Sequence, residues 1–269
     1  MSETQVFAPG TRRFGRVNWL GFWTLCKREI LRFTGVWTQT LLAPLVTAGL
    51  FLLIFTIAIG PRRGEVMGTA FTTFIAPGIL MMTVIQNAFA NTSSSLMISK
   101  VQGNIVDTLM PPLSAGELVL GYMVGGTARG LAVAIALILT FMLVLGLIPH
   151  APLVTLVFVL LGAAFLSALG LIAAIYAQKF DQMAAITNFI ITPLAFLSGT
   201  FYSVEALPVG LYQVTHLNPV FYLIDGARWG MIGLSDTSPI ISFAVALTAT
   251  GLAGLGAWLL LRRGTRLKS

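Results

Sequence analysis

The sequence predicts an all-α polytopic membrane protein with six transmembrane helices and an N-terminal amphipathic interfacial helix. Three observations lead to this fold class. Hydrophobic residues make up 57% of the 269 residues and charged residues only 9%, whereas soluble domains carry roughly 25% charged residues. The mean hydropathy is +0.90. Six apolar blocks also approach the roughly 20 residues that a helix needs to cross the hydrocarbon core of a bilayer.

The net charge of +7 could indicate a nucleic-acid partner, but the pattern of the basic residues argues against one. The lysines and arginines lie at the ends of apolar blocks and do not share one polar face, so we expect membrane lipids and no nucleic acid as partners. Cys26 is the only cysteine, which excludes an internal disulfide. The first 18 residues are polar and lack the apolar core of a cleavable signal peptide.

The first predicted element follows a polar cytoplasmic tail of residues 1–17 and covers residues 18–36. Its apolar side chains recur at helical spacing and form one face: Trp19, Phe22, Trp23, Cys26, Ile30 and Phe33. Arg28 and Arg32 point away from that face, and Asn18 can cap the helix. We expect the helix in the cytoplasmic headgroup layer, with the tryptophans in lipid and the arginines toward phosphates. Packing on a soluble core is disfavoured because the composition provides none.

Six spans are predicted within a single transmembrane domain of residues 38–261. They cover roughly residues 38–60, 69–90, 121–148, 153–177, 184–201 and 240–261. An even number of spans places the N-terminal tail and the basic tail of residues 262–269 on the same side. Twelve of the sixteen lysines and arginines fall on that side, which the positive-inside rule makes cytoplasmic. Arg62, Arg63 and Arg228 fall on the opposite side.

The largest internal cytoplasmic segment predicts an amphipathic helix over about residues 96–110. Pro111 and Pro112 would end this helix, and Ser114 with Glu117 fits a capping box that opens the third span. The helix either rests on the membrane as a connector or docks into a groove on a cytosolic partner, and the sequence leaves both open. The residues to test for docking are Lys100, Gly103, Asn104 and Asp107.

Few polar side chains lie within the predicted spans. Gln86, Asn87, Asn91 and Asn188 favour hydrogen bonds between helices, with contact to a translocated polar group as the alternative. We expect Arg129 to extend to the cytoplasmic headgroups. No series of acidic residues crosses the membrane, which argues against a carrier coupled to an ion gradient.

The segment between the fifth and sixth spans, residues 197–233, is too apolar for an exposed loop and is broken by Pro208, Asn218 and Pro219. Non-helical backbone at membrane depth is tolerated only where protein or a water-filled cavity covers it. The segment therefore indicates a protein that handles a substrate at its outer face.

No catalytic motif is recognisable in the sequence. The string Asp225–Arg228 resembles a fragment of the CDP-alcohol phosphotransferase motif, but Asp236 is the only acid that follows it. His150 and His216 lack partners at metal-ligand spacing. There is no G-x-S-x-G motif and no lysine preceded by glycine, so the phosphate-binding loop of an ATPase is missing. We predict a protein that is not an enzyme.

Four segments resemble the transmembrane permease of ABC type-2 (ABC-2) exporters: FIAPGILMM at 74–82, KVQGNIVDTLMPPL at 100–113, PLAFLSGTFYSVEALP at 193–208 and LNPVFYLIDGARWGMIG at 217–233. The chain is most similar to the YadH-like inner-membrane permeases of Gram-negative bacteria. It is more distantly similar to nodulation lipo-oligosaccharide exporters. The resemblance covers nearly the whole chain past residue 18.

The resemblance implies a homodimer in the bacterial inner membrane that binds two copies of a cytosolic ABC ATPase. The ATPase would bind ATP and Mg, and this chain would need no cofactor. Lys100 to Asp107 would be the coupling helix, although the family often has Thr or Ser at the position of Asn104 and Glu at that of Asp107. The interfacial helix, with Trp19, Trp23, Arg28 and Arg32, would lie beside it.

The resemblance also implies that residues of about 202–235 form re-entrant half-helices near the exit. The candidate gate residues in this segment are Tyr202, Glu205, Asn218, Pro219, Tyr222, Asp225 and Arg228. Asp225 and Arg228 lie three residues apart, so we expect an ion pair rather than a catalytic pair.

The leading hypothesis is the permease of an ATP-driven exporter for an amphipathic, lipid-linked or hydrophobic substrate. One alternative is a membrane scaffold or assembly protein that uses the same loop only to recruit a cytosolic partner. Another is an ion-coupled secondary carrier.

Overall fold

The computed structural model describes residues 17–264 of the chain. Most of the predicted polar tail at residues 1–17 and most of the basic tail at residues 262–269 therefore lie outside the described residues. Within them the protein is mostly helical, as the sequence predicts. The exception is a small β-hairpin that precedes the second long helix.

The described residues form helices α1 (Trp19–Thr34), α2 (Ala43–Ala58), α3 (Gly60–Arg63), α4 (Phe71–Val101), α5 (Ile105–Leu109), α6 (Ala115–Leu145), α7 (Pro152–Tyr176), α8 (Phe180–Ile186), α9 (Thr192–Phe196), α10 (Val209–Leu217), α11 (Pro219–Ile232) and α12 (Pro239–Arg262). Wider π turns precede α2 at Thr38–Leu42 and α9 at Thr187–Ile191, and a 3₁₀ turn covers Val204–Ala206. Strands β1 (Glu65–Val66) and β2 (Thr69–Ala70) form the hairpin, which turns through Met67 and Gly68 at positive φ.

Five helices in the described part of the chain are long and apolar enough to cross a membrane: Thr38–Arg62, Phe71–Val101, Ala115–Leu145, Pro152–Tyr176 and Pro239–Arg262. They correspond to five of the six predicted spans, and the sixth is not confirmed.

The predicted span at residues 184–201 differs because its helix is short and interrupted. It begins with α8, passes through a π turn and ends with α9 at Phe196. Pro193 lacks the amide that would bond back to the preceding turn, and the chain reverses beyond α9 at Gly199, where φ is +71°.

The segment predicted as one helix over residues 96–110 is divided into two. Residues 96–101 belong to the end of α4, and a turn at residues 102–104 separates them from α5. Gly103 has a φ of +74°, a left-handed conformation that ends a helix and favours glycine. α5 therefore stands apart from α4 as a separate short helix.

Helices α4 and α7 form the centre of the bundle, because both are largely buried along their length, whereas only a minority of the residues in α2, α6 and α12 are buried. Small residues let the central helices approach closely. A Cβ atom on Gly170 of α7 would lie 2.7 Å from the carbonyl oxygen of Phe89 on α4. A Cβ atom on Gly130 of α6 would lie 2.8 Å from the Cβ atom of Ala163 on α7. Close packing of this kind stabilises helices in lipid, where the hydrophobic effect does not drive them together.

Candidate functional site

Helix α1 has one exposed apolar face and one buried face that carries a charge. Trp19 and Trp23 are 62% and 61% exposed, as a helix lying at a membrane surface requires. The buried face consists of Leu25, Cys26, Glu29 and Phe33. Glu29 was not among the residues predicted from the sequence, although an acid between two arginines on one helix is a signal for an internal ion pair.

The side chain of Glu29 lies fully buried in a polar cluster that joins α1 to α4. Its Oε1 accepts hydrogen bonds from Arg28 Nη2 at 3.0 Å and from Ser95 Oγ at 2.9 Å. Arg32 Nε lies 3.6 Å from the Glu29 Oε2. A buried carboxylate is costly unless it is paired and hydrogen-bonded, and this cluster provides both.

The expected direction of the two arginines needs correction. Arg32 Nη2 donates to the backbone oxygen of Asn91 at 2.5 Å and to its Oδ1 at 3.0 Å, so this guanidinium faces the bundle and not the headgroups. Burial lowers the pKa of Arg32, and the carboxylate of Glu29 acts in the opposite direction. Arg28 remains 45% exposed. The physical reason for the inward direction is the buried charge of Glu29, which needs cations beside it.

Helix α1 also packs closely against the beginning of α6. Gly121 and Gly125 leave space for Leu25 and Glu29, because a Cβ atom at either glycine would collide with those side chains. The backbone N–H of Asn18 donates to Glu117 Oε1 at 2.5 Å. The predicted capping box of Ser114 and Glu117 is present at the start of α6, and Asn18 caps α1 as expected. These contacts fix α1 along α6.

The segment between α4 and α6 presents most of its candidate docking residues to solvent. Gly103, Asn104 and Asp107 are exposed. On the other side of α5, Ile105 and Thr108 are buried. The Nη1 atom of Arg28 donates to Thr108 Oγ1 at 3.1 Å, so α1 contacts α5 directly.

Lys100 differs from the other docking candidates because its ammonium group binds within the chain. Its Nζ atom donates to the carbonyl oxygens of Ala174 at 3.0 Å, Ile175 at 2.9 Å and Ala177 at 2.6 Å. These carbonyls belong to the last turn of α7 and the residue just beyond it, where helical partners are lacking and the dipole favours a cation. Lys100 thus links the end of α4 to the end of α7.

The other end of the bundle holds the predicted outer segment. Asn218 joins α10 to α11: its Oδ1 accepts from the N–H of Val220, and its Nδ2 donates to Ser198 Oγ at 2.6 Å. Pro219 occupies the first turn of α11, where a missing amide costs nothing. Tyr222 Oη donates to the backbone oxygen of His216 at 3.0 Å. Of the remaining candidate gate residues, Tyr202 is half-buried and Glu205 is exposed.

Arg228 is fully buried and lies at the centre of an ion-pair cluster. Its Nη1 is 3.5 Å from Asp225 Oδ1, which matches the expected ion pair, and 3.3 Å from Asp236 Oδ2, which was not expected. Its Nη2 donates to the backbone oxygen of Gly199, and its Cζ lies 4.4 Å from the ring centroid of Phe74. The cluster therefore joins α11 to α4 and to the turn after α9.

The two acids of this cluster also hold the connection to α12. Asp225 accepts hydrogen bonds from the backbone N–H groups of Asp236 and Thr237, and Asp236 accepts one from Ser203 Oγ. Because the acids are used in these bonds, the cluster fixes the outer segment and presents no free acid pair. In residues 17–264, no group of three or more His, Cys, Asp or Glu side chains is arranged to hold a metal ion.

The polar side chains predicted to bond between helices do so at two positions. Asn91 of α4 accepts from Arg32 of α1, and Asn87 Oδ1 of α4 accepts from Arg129 Nη2 of α6 at 3.0 Å. Arg129 thus contacts a neighbouring helix, whereas the sequence predicted that it extends to the headgroups. Asn188 is exposed in the π turn before α9.

The fold and these clusters define a polytopic helical membrane protein. Polar contacts hold α5 against α1 and the end of α4 against the end of α7. The chain belongs to the ABC-2 type transporter family, whose model matches residues 21–232. It is 36% identical over 251 residues to the inner membrane transport permease YadH of Escherichia coli (strain K12), an alignment that covers 93% of this chain and 98% of that protein.

Nodulation protein J of Rhizobium leguminosarum bv. viciae is 27% identical over 229 residues, which cover 81% of this chain and 84% of that protein. Nodulation protein J of Rhizobium meliloti (strain 1021) is 24% identical over 241 residues, 86% of each chain. These similarities confirm the resemblance seen in the sequence. They support a multi-pass transport permease of the bacterial inner membrane, a non-enzymatic subunit whose family in general works with an ABC ATPase.

Proposed function

We propose that this chain is the permease subunit of an ATP-driven exporter that moves an amphipathic, lipid-linked or hydrophobic substrate out of the cytoplasm or the inner leaflet. Two copies form a homodimer and bind two cytosolic ABC ATPase subunits, which carry ATP and Mg. The scarcity of charge within the spans supports a largely apolar substrate, because a small ion needs charged or polar groups along its path.

The observation that carries the proposal is the two-sided structure of α5. Its exposed side includes Val106 at 53% and Leu109 at 37% exposure, next to Asp107, and Met110, which directly follows the helix, is 75% exposed. Exposed apolar side chains on a short helix suit a groove on a partner, and the adjacent acid can pair with a cation there. The buried side of α5 contacts α1 through Thr108 and Arg28.

Three polar links connect this loop to the bundle and support its role in coupling. Arg28 connects α5 to α1, Glu29 connects α1 to α4, and Lys100 connects α4 to α7. A displacement of α5 by the ATPase must therefore move or break these links. Each link is a hydrogen bond from one element to the next, so a displacement of α5 would pass through α1 to α4 and from α4 to the end of α7.

We also propose a sixth crossing and cytoplasmic termini. The run from α8 to α9 would be a short crossing, and residues of about 202–235 would be the outer re-entrant segment with α10 and α11 as half-helices. The buried cluster around Arg228 supports a structured outer segment, because non-helical backbone near lipid needs polar partners within the protein.

The decisive test of coupling uses the full-length permease reconstituted in lipid vesicles with its cognate ATPase. Asp107→Arg reverses an exposed charge on α5, and we expect it to abolish stimulation of ATP hydrolysis by the permease while insertion and expression remain normal. Glu65→Arg is the matched control, because Glu65 is also exposed but lies in the hairpin at the other end of the bundle. Unchanged assembly and ATP hydrolysis in Asp107→Arg would exclude this docking site.

The same vesicles separate the rival functions. Substrate-stimulated ATP hydrolysis supports the exporter. An assembly that binds the ATPase without ATP-driven transport supports a scaffold. Uptake driven by an ion gradient without the ATPase supports a secondary carrier.

The topology is testable with single cysteines in a Cys26→Ala background, since Cys26 is the only native cysteine. In intact spheroplasts, a membrane-impermeant maleimide should label Glu205→Cys. It should label Asp107→Cys only after permeabilisation. Labelling of both residues from the same side contradicts the proposed number of crossings.

A further inference from the structure

A cavity with a volume of ≈ 320 Å³ opens beside α4. It lies between the start of the first long helix, α4 and α6. Its lining combines polar and apolar side chains, among them Gln39, Phe51, Thr83, Gln86, Asn87 and Arg129. Gln39, Ala43 and Thr47 of this lining are exposed, so the cavity is open on the α2 side, toward the surroundings of the bundle.

Arg129 is the charged residue in this lining, and its guanidinium has few partners. Nη2 donates to Asn87 Oδ1 at 3.0 Å. Nε is buried and has no hydrogen-bond partner among the described residues. Within residues 17–264 the Arg129 guanidinium takes part in none of the salt bridges.

Arg228 shows how the same protein treats an arginine with a structural role. Arg228 has two carboxylates, a backbone carbonyl and an aromatic ring around its guanidinium. Arg129 has one neutral amide and an open cavity. A cation within an apolar helix is costly unless a counter-charge or water compensates it. The protein supplies that counter-charge to Arg228, whereas the open cavity leaves room for an external group to supply it to Arg129.

The cavity has the chemistry of a site for an anionic headgroup. An arginine presents several N–H donors in a fixed fork that matches phosphate oxygens, and the amides of Gln39 and Gln86 can donate further bonds. Phe51, Ile79 and Met82 provide an apolar wall beside these donors. The volume suits a phosphate headgroup, and the open α2 side leaves room for attached chains in the lipid.

We infer that this cavity binds the phosphate headgroup of an anionic amphiphile, with Arg129 as the principal charge that recognises it. The inference adds an anionic phosphate to the substrate class of the proposed function. It rests on that function only for the statement that the bound amphiphile is the transported substrate. Binding itself requires neither ATP nor the ATPase.

The test uses the full-length chain purified alone in a neutral detergent, with bound lipid counted by native mass spectrometry. The probes are phosphatidylglycerol, phosphatidylcholine with the same acyl chains, and inorganic phosphate. We expect the wild-type protein to prefer phosphatidylglycerol. Arg129→Gln should weaken phosphatidylglycerol binding by about tenfold, the loss expected for one charge-assisted hydrogen bond.

Two further variants keep the result interpretable. Arg129→Lys retains the charge and should retain the preference for phosphatidylglycerol, even if Arg129→Gln folds poorly. Arg62→Gln removes the same charge from an exposed arginine at the other end of the first long helix and should bind like the wild type.

Equal binding of the two lipids by the wild type, or equal affinity of Arg129→Gln and Arg62→Gln for phosphatidylglycerol, would overturn the inference. Competition by inorganic phosphate at the concentration of the lipid would assign the cavity to a soluble anion and would also overturn it. Loss of ATPase coupling with intact lipid binding refutes the proposed function alone. Intact coupling without selective binding refutes this site alone.

Discussion

The ammonium nitrogen of Lys100, in the last turn of α4, lies 2.6 Å from the carbonyl oxygen of Ala177, just beyond the end of α7. Two further carbonyls at the end of α7 accept from the same nitrogen. A lysine chosen from the sequence as a contact for a partner protein is thus a contact within the chain. The proposed docking surface and the internal link lie next to each other, because the chain turns at Gly103 directly after α4.

Replacing Lys100 by methionine should destabilise the protein by about 1 to 2 kcal/mol, because the carbonyls at the end of α7 lose a charged donor. Thermal unfolding in detergent measures the effect. Lys179→Met is the control, since Lys179 is exposed just before α8 and should unfold like the wild type. Equal unfolding temperatures for the two variants would contradict the structural role of Lys100.

Replacing Glu29 by glutamine should loosen α1 from the bundle. Removal of one partner from a fully buried ion pair costs about 3 to 5 kcal/mol, and the 45% exposure of Arg28 reduces our expected value to about 2 kcal/mol. The thermal unfolding midpoint should fall, and limited proteolysis should cut α1 faster. Glu65→Gln, at an exposed position in the hairpin, should leave both measurements unchanged.

Replacing Asp225 by asparagine should destabilise the outer segment by about 3 kcal/mol, because it leaves the buried charge of Arg228 with less compensation. A double variant that adds Arg228→Met should lose less stability than the sum of the two single variants, since the pair is coupled. Unfolding of all three variants in detergent tests this. Strict additivity would mean that the two side chains do not interact.

Replacing Gly78 by alanine should cost about 1 to 3 kcal/mol, because the new Cβ collides with the backbone oxygen of Thr200 and forces α4 away from the turn after α9. Gly49→Ala in α2 is the matched change, because no atom lies within 4 Å of its added Cβ. That variant should be neutral or more stable by up to about 1 kcal/mol, from helix propensity. The prediction fails if the two alanine variants have the same stability.

The elements predicted from the sequence depend on local patterns. Five long apolar blocks became five long helices, because length and hydrophobicity define such helices without reference to their neighbours. The capping box at Ser114 and Glu117 was predictable for the same reason, since it involves residues three apart. Where the prediction was incomplete, at residues 184–201, proline and a wide π turn interrupted an otherwise apolar block.

The polar clusters depend on contacts between distant parts of the chain. Glu29 meets Ser95, Arg228 meets Asp236 and Gly199, and Lys100 meets the end of α7. No spacing along the sequence indicates these pairs, because the residues come from different helices or turns.

The sequence by itself determined that this chain is a polytopic membrane protein, because low charge and long apolar blocks leave lipid as the solvent for most side chains. The ABC-2 transporter family was indicated separately, by the resemblance of four segments, and the family model confirms it. Only the tertiary structure decided which charges are internal links and which remain open. Helix packing buries Glu29 and Arg228 among partners and leaves Arg129 beside a cavity. A buried charge must find its compensation from whichever helix lies next to it, and that neighbour is set by the packing of the whole bundle.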